Sequence, residues 1–195
     1  MRVADILLGR VQEKKASAVR VLLMGPPGSG RRTQTLCLAG CLGVTPISWG
    51  YGLTEAEGNA AVMRAVSTGG FVLSGYPRTL AQAQTLDALL ADQGVGLDAV
   101  IALNVSPALR LHRLAQDARV DDGAGSVVDM SWRAQLSDEQ SIYTSRTVPV
   151  LDLYRSRGLL DAVDGVGAVA DVTLRLAASL HAGRYARMFS IAANG

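Results

Sequence analysis

The sequence predicts a three-layer α/β/α fold in which helices cover both faces of a five-stranded parallel sheet. Short apolar runs alternate with stretches of helical periodicity along the chain. The runs are apolar throughout, which is typical of parallel strands that are buried on both faces. A glycine-rich segment joins the first run to the first helical stretch. In such sheets, ligands bind beyond the carboxyl ends of the strands, where this segment would lie.

The elements follow one another in a regular order. β-rich runs predict strands at Val19–Met24, Val44–Ser48, Phe71–Ser74, Ala99–Val105 and Leu159–Val163. The apolar spacing between them predicts helices at Arg32–Leu42, Glu55–Ser67, Leu80–Asp92, Pro107–Gln116 and Leu136–Arg157. A turn or short loop is predicted at Asp121–Ser126 (DDGAGS). A last helix is indicated by Val169, Val172, Leu176 and Leu180, which recur at helical spacing.

Composition indicates one globular domain and excludes several function classes. The chain has 195 residues, of which 49% are apolar, and this is enough for a single core. Its basic residues are scattered and its net charge is only +2, which argues against a nucleic-acid partner. No apolar run reaches transmembrane length, so no membrane partner is expected. Cys37 and Cys41 fit free thiols in a reducing compartment, and we expect a soluble intracellular protein.

Residues Gly25–Thr33 (GPPGSGRRT) form the most informative segment. They lie between a predicted strand and a predicted helix, which is the context of a phosphate-binding P-loop. Glycines let successive backbone N–H groups point at an anion, and the helix dipole adds about half a positive charge. The position of the usual lysine is occupied by Arg31, and Arg32 follows it. The segment therefore predicts a nucleotide phosphate site with an altered cation.

Several segments resemble adenylate kinases, in the same order along the chain. Gly25–Gln34 (GPPGSGRRTQ) resembles the phosphate loop of that family, and Gly70–Gln82 (GFVLSGYPRTLAQ) resembles its Asp-Gly-Phe-Pro-Arg-Thr segment. Further similar segments are Gly43–Gly50, Ala102–Leu114, the run from Thr147 through Pro149 and Tyr154 to Gly158, and Val163–Gly165. The resemblance implies a nucleoside monophosphate kinase core over residues 19–180.

The resemblance also implies roles for individual residues. The loop would bind nucleotide phosphates through Gly25, Gly28, Ser29, Gly30, Arg31, Arg32 and Thr33. Gly75 and Arg78 match the residues at the monophosphate, Gln82 the glutamine that reads its adenine, and Arg113 the arginine that stacks over the ATP base. In an active enzyme, the catalytic arginines would be Arg31, Arg78, Arg113 and Arg119. From the residues alone, Gly75–Arg78 also fits a simple tight turn, and Arg113 a solvated helix face.

Other positions depart from the family pattern. Arg31 replaces the loop lysine with a bulkier planar group, and Ser74 replaces an aspartate that helps to hold the hydration shell of Mg²⁺. We therefore expect ATP or ADP without a firmly held Mg²⁺, and we assign no metal ligand. The family's threonine and arginine at the monophosphate are replaced by Trp49 and Thr54.

The parts that would close over the substrates are short. The monophosphate-binding region is reduced to residues 49–69 and the lid to residues 117–135. Gln116 and Asp117 occupy the place of the first lid arginine, for which Arg119 could substitute. Glu139 stands at the position of a transition-state arginine, and neither Arg133 nor Arg146 fits that register.

These departures lead to a functional expectation. One transition-state arginine supplies on the order of 10³–10⁵ in the rate of phosphoryl transfer. Because several charged groups change together, the sequence favours weak or lost phosphotransferase activity, that is, a pseudoenzyme acting as a nucleotide-binding or structural subunit. One alternative is an active, divergent enzyme that transfers phosphate from ATP to AMP. Another is a small-molecule kinase with a different acceptor.

Both ends of the chain extend beyond the resemblance. Residues 1–18 predict an amphipathic N-terminal extension helix, and residues 181–195 form a tail that contains aromatic, methionine and arginine side chains. Such side chains are favoured at interface cores. We expect protein partners to dock through residues 1–15 and 181–195, in the cytoplasm or in a large organellar or ciliary assembly. The alternative is that both ends pack on their own domain.

Overall fold

The computed structural model describes residues 19–49, 54–121, 137, 138 and 140–193, except for the side chains of 117–121 and 183–193. Its strands are β1 (Val19–Met24), β2 (Thr45–Ser48), β3 (Gly70–Ser74), β4 (Ala99–Asn104) and β5 (Leu160–Asp164). Its helices are α1 (Arg31–Leu42), α2 (Glu55–Thr68), α3 (Leu80–Ala91), α4 (Pro107–Asp121), α5 (Val148–Ser156) and α6 (Val169–Ala193). A π-helical turn, Tyr143–Thr147, leads into α5.

The strands form one parallel sheet in the order β2-β3-β1-β4-β5. β1 lies at its centre, where Leu22 is opposite Leu73 of β3 and Val100 of β4. All five carboxyl ends therefore lie at the same edge, and the glycine-rich segment follows the central strand. The predicted α/β/α fold with a five-stranded parallel sheet is confirmed.

Alternate residues of β1 belong to the two halves of the core. Leu22 packs in the layer that includes Leu86 of α3 and Tyr154 of α5, and all three are fully buried. Leu23 packs in the other layer, with Leu38 of α1 and Leu176 of α6. Because successive side chains of a strand point to opposite faces, one apolar run can supply both layers.

The described residues of the predicted helix Leu136–Arg157 are helical as far as Ser156, but a π-helical turn interrupts the regular ladder. The Val148 N–H donates to the Tyr143 carbonyl five residues earlier, so the ladder widens to a π turn there. Pro149 lies in the first turn of α5. Proline has no N–H to give to the preceding turn, which is why a new helix begins at this point.

The remaining boundaries differ mainly at element ends. α4 continues to Asp121, five residues beyond the predicted Gln116. Apart from Asp121 itself, the predicted turn Asp121–Ser126 lies outside the described residues. α6 continues past Leu180 to Ala193, so 181–193 is helical backbone. The N-terminal extension, 1–18, and most of the predicted lid, 117–135, also fall outside the described part of the chain. Among the described helices, none is long and apolar enough to cross a membrane.

Two leucines of α3 provide a test of this packing. Leu86 is fully buried, whereas Leu80 is 44% exposed. We expect Leu86→Ala to lower the free energy of unfolding by about 2–5 kcal/mol, because it leaves a cavity in the core. Leu80→Ala should change it by about 0.5 kcal/mol or less. Urea denaturation measures both values, and equal losses would contradict the assignment of Leu86 to the core.

Candidate nucleotide site

The loop after β1 depends on glycine at its point of closest contact. Gly28 has a φ of +75°, and a Cβ there would lie 2.7 Å from the Arg110 carbonyl oxygen and 2.8 Å from Leu114 Cδ1. At the start of α1, Gly30 has a φ of +90° and no side chain caps the helix. A helix N-terminus of this kind, preceded by a glycine turn, is a ready site for phosphate.

Different residues of this loop line two cavities. The first, here called the arginine cavity, has a volume of about 120 Å³ and is lined by Gly25, Arg31, Gly75, Tyr76, Arg78 and Tyr143, among others. The second, here called the loop cavity, has a volume of about 280 Å³ and is lined by Gly28, Ser29, Gly30, Thr33, Arg113 and the turn after β5. Most of the predicted site residues therefore line one of two adjoining cavities.

Arg31 and Arg78 line the arginine cavity together. Arg31 begins α1, and Arg78 comes from the segment between β3 and α3. The Arg78 Nε donates to the Gly75 carbonyl at 2.8 Å, and its own carbonyl accepts from Thr147 Oγ1 at 3.2 Å. The Gly75–Arg78 segment is thus a tight turn that also presents a guanidinium group to the cavity.

Arg113 of α4 contacts two parts of the loop cavity. Its Nη2 donates to the Gly165 carbonyl at 3.0 Å, and its Nη1 to the Ser29 carbonyl at 3.5 Å. Arg113 therefore does not lie on a solvated helix face. Ser29 is 2% exposed, and its hydroxyl has no hydrogen-bond partner among the described residues. A phosphate oxygen would give this buried hydroxyl an acceptor.

Some predicted residues do not line either cavity. Arg32 is exposed. The Gln82 Oε1 accepts the Arg78 N–H at 2.8 Å, so its side chain braces the turn before α3. The Arg119 side chain, Arg133 and Glu139 lie outside the described residues, and Arg146 is exposed on the π turn. The prediction that Arg32 and Gln82 contact nucleotide remains a prediction.

Tyr143 is a cavity residue that the sequence did not indicate. It lies on the π turn and lines the arginine cavity beside Arg31. Burial raises the pKa of its phenol, while the charges of Arg31 and Arg110 act to lower it. Arg110 also donates to the Pro27 carbonyl at 3.3 Å and to Gln140 Oε1 at 2.6 Å. A π turn within a helix is frequently found at functional sites, but its position is not evident from periodicity.

Thr54 and Ser74 have local structural partners. Thr54 caps α2: its hydroxyl accepts the Glu57 N–H at 3.3 Å, and Glu57 Oε2 accepts the Thr54 N–H at 2.9 Å. These hydrogen bonds lower the pKa of Glu57. Ser74 is buried at the end of β3, where its hydroxyl lies 3.5 Å from that of Ser48.

Comparison with known proteins identifies the family of the chain. No protein-family model matches the chain. An adenylate kinase of Thermobifida fusca (strain YX) is 35% identical to it over 190 residues, covering 83% of the chain and 98% of that relative. The chain belongs to the adenylate kinase family. Other adenylate kinases are 36% identical over 83% of the chain, in Stenotrophomonas maltophilia (strain R551-3), and 35% over 86%, in Clavibacter michiganensis subsp. michiganensis (strain NCPPB 382), covering 99% and 95% of those relatives.

These adenylate kinases correct one expectation drawn from the sequence. The expectation that the chain is a pseudoenzyme rather than an enzyme is wrong, because several relatives at 33–36% identity over most of the chain are named adenylate kinases. Replacement of the loop lysine by arginine does not remove the cation from the loop. Arg31 keeps the positive charge, and the fold places it on the same cavity as Arg78.

Tyr76 lines the arginine cavity, and its buried phenol provides a pH-dependent test of the structure. Burial and the nearby charge of Glu55 raise its pKa from 10.0 to about 12. The folded chain therefore keeps this proton at a pH where the unfolded chain loses it. This contribution to stability is present below about pH 10 and is lost as the pH rises towards 12.

Between about pH 10 and pH 12, we expect the free energy of unfolding to fall more steeply with pH for the unaltered chain than for Tyr76→Phe. The difference in slope should be at most about 1.4 kcal/mol per pH unit. Urea titrations at several alkaline pH values measure it. Parallel slopes would show that the Tyr76 phenol titrates normally.

Proposed function

We propose that the chain is a phosphotransferase that moves the γ-phosphoryl group of ATP to a nucleoside monophosphate, with AMP the first acceptor to test. The supporting observation is that Arg31 and Arg78 line one small cavity beside the loop. They come from two different segments, α1 and the turn after β3. Two cations at one cavity favour an anion between them, and arginine binds phosphate oxygens in a bidentate manner.

The proposed reaction requires little covalent participation by the protein. A phosphate oxygen of the acceptor attacks the γ-phosphorus of ATP, and the bond to the β-phosphate oxygen breaks to release ADP. The rate of such a transfer depends on positioning and on stabilising the charge of the three equatorial oxygens. Arg31 and Arg78 would supply this charge.

The loop cavity suits the donor nucleotide. The backbone of Gly28–Gly30 and the buried Ser29 hydroxyl offer hydrogen-bond donors to phosphate oxygens. Arg113 closes the same cavity on the side of α4, where it would stack on the donor base. With the donor there, its terminal phosphate would reach the arginine cavity around Arg31.

The residues at this edge fit a Mg²⁺ that enters with ATP. In the described part of the chain, no three His, Cys, Asp or Glu side chains are grouped as a metal cage. Mg²⁺ usually keeps several waters and binds substrate phosphates rather than an all-protein cage. The Thr33 hydroxyl, which lines the loop cavity, would orient its waters, and the ion would neutralise phosphate charge. Ser74 lacks the charge of the aspartate that it replaces, which weakens one anchor of the Mg²⁺ hydration shell but does not exclude the ion.

The test is transfer of phosphate from Mg·ATP to AMP by the purified chain. We expect ADP formation to depend on both nucleotides. Arg78→Ala and Arg31→Ala should each lower kcat/KM by about 10²–10⁴-fold, because each removes charge from the transferring group. Coupled detection of ADP measures this.

Arg64→Ala is the matched control, since Arg64 is exposed on α2 and lines neither cavity. Equal activity in Arg31→Ala, Arg78→Ala and Arg64→Ala would remove the two cavity arginines from the reaction. Failure of the unaltered chain to form ADP from any nucleoside monophosphate would refute the proposed function itself.

We also propose that protein partners dock through residues 1–15 and 181–195. Their composition supports this proposal.

A further inference from the structure

The turn between β5 and α6 forms one wall of the loop cavity. Gly165 and Gly167 of this turn line the cavity, together with Val169 at the start of α6. Gly165 packs closely on the end of β4: its N–H donates to the Asn104 carbonyl at 2.8 Å, and a Cβ at this position would lie 2.7 Å from Val105 Cγ2. At the two glycines the wall is main chain, so its shape depends on the conformation of the turn.

The composition of this turn makes one conformation costly to fix. Gly167 has a φ of +117°, which lies in the region that favours glycine. A glycine loses more conformational freedom on ordering than any other residue. The turn also lies at the surface, since Val166, Gly167 and Ala168 are all exposed. Such a turn needs bonds from outside it to keep a single conformation.

Arg175 of α6 supplies bonds of this kind. Its Nη1 donates to the Asp164 carbonyl and its Nη2 to the Val166 carbonyl. The same Nη1 lies 3.3 Å from Asp164 Oδ2, and the Asp164 carboxylate accepts the Val166 N–H at 3.0 Å. The guanidinium group is planar and rigid, so one side chain fixes both ends of this three-residue stretch.

The middle carbonyl of the same stretch is held from α4. The Gly165 carbonyl accepts from Arg113 Nη2 at 3.0 Å. Three successive carbonyls therefore accept hydrogen bonds from only two arginines, and a shift of the turn would also move Arg113, which is proposed to stack on the donor base. Arg175 itself lines neither the arginine cavity nor the loop cavity. Its influence on a nucleotide would pass through the turn.

We propose that Arg175 is a positioning residue for the donor nucleotide: it holds the turn between β5 and α6 in the conformation that lines the loop cavity and supports Arg113. A wall that is ordered before the ligand arrives spares binding the free energy of ordering it, which raises affinity. The inference rests on the proposed function, because it concerns the ATP of the same reaction. Affinity for ATP should respond to Arg175, whereas the chemical step should not.

The first experiment tests the hold on the turn and needs neither nucleotide nor turnover. Amide hydrogen exchange is followed by mass spectrometry in peptides that cover residues 164–169. We expect Arg175→Ala to speed exchange there by at least about fivefold, because charged hydrogen bonds that close the turn are lost. Unchanged exchange in this variant would overturn the proposal.

Arg155→Ala is the matched control for every measurement. Arg155 also pairs with an aspartate, Asp152, but it lies on α5 and lines neither cavity. We expect this variant to leave hydrogen exchange in the turn and the kinetic constants of the chain unchanged. A change equal to that of Arg175→Ala would show a general effect of removing a surface arginine, and would overturn the specific role of Arg175.

The second experiment separates the donor from the acceptor in transfer from Mg·ATP to AMP. We expect Arg175→Ala to raise KM for ATP by about 5–50-fold, since the variant must order the turn when ATP binds. Both kcat and KM for AMP should stay within about twofold of the unaltered chain. Loss of folded protein alone would lower the apparent kcat and leave both KM values unchanged. The split between the two KM values therefore identifies positioning.

The third experiment is a calorimetric titration with ATP, which requires no turnover. Arg175→Lys keeps a positive charge beside Asp164, but a single ammonium group cannot reproduce the planar fork that spans two carbonyls. We expect Kd for ATP to rise in the order unaltered chain, Arg175→Lys, Arg175→Ala. The lysine variant keeps the proposal open to refutation if Arg175→Ala does not fold.

The outcomes separate this inference from the proposed function. Equal rises in KM for ATP and AMP, or an unchanged Kd for ATP in both Arg175 variants, overturn the positioning role and leave the phosphotransferase intact. Absence of transfer to any acceptor overturns the proposed function, and hydrogen exchange together with the ATP titration then decides the role of Arg175. Absence of ATP binding by the unaltered chain refutes both.

Discussion

The contact between Gly28 and α4 is the constraint on which both cavities depend. The backbone of the loop approaches α4 so closely that a Cβ at Gly28 would lie 2.7 Å from the Arg110 carbonyl. Arg110 and Arg113 then reach back to the Pro27 and Ser29 carbonyls. The loop is thereby held in place where its successive residues line the arginine cavity and the loop cavity. Displacing it would change the walls of both cavities.

The two cavities are supported differently. Beside the loop cavity, Gln34 of α1 accepts from Thr173 at 2.8 Å and donates to the Val169 carbonyl at 3.0 Å. These bonds hold the start of α6 against α1, near the turn that lines the loop cavity. Beside the arginine cavity, the support is aromatic, through the stacked rings of Trp49 and Tyr76. Hydrogen bonds fix the geometry of the loop cavity, whereas packed rings support the arginine cavity.

The fold could be read from the sequence because its signals are local. Apolar runs and glycine positions can be recognised from neighbouring residues alone. For example, the strand Val19–Met24 has the predicted bounds. The arginines at 31, 78 and 113 could be placed at a site because motif order fixed their elements. Tyr143 and the stacking of Trp49 could not be found in this way. Both depend on side chains that meet across elements distant in sequence, and on a π turn that periodicity does not distinguish from a regular helix.

The difference between local sequence signals and contacts across the fold also explains why the replacement of one charged residue is weak evidence for loss of activity. A count of replaced residues treats each position as a separate requirement. Phosphoryl transfer instead requires enough positive charge around the transferring group, whichever residues supply it. Arg31 keeps a cation at the loop, Arg78 faces the same cavity, and the charge of Arg110 reaches Tyr143 on its wall. A guanidinium group spreads its charge over a plane and binds two oxygens at once. Whether such a set replaces an ammonium group depends on the common cavity, which is a property of the fold and not of any single position.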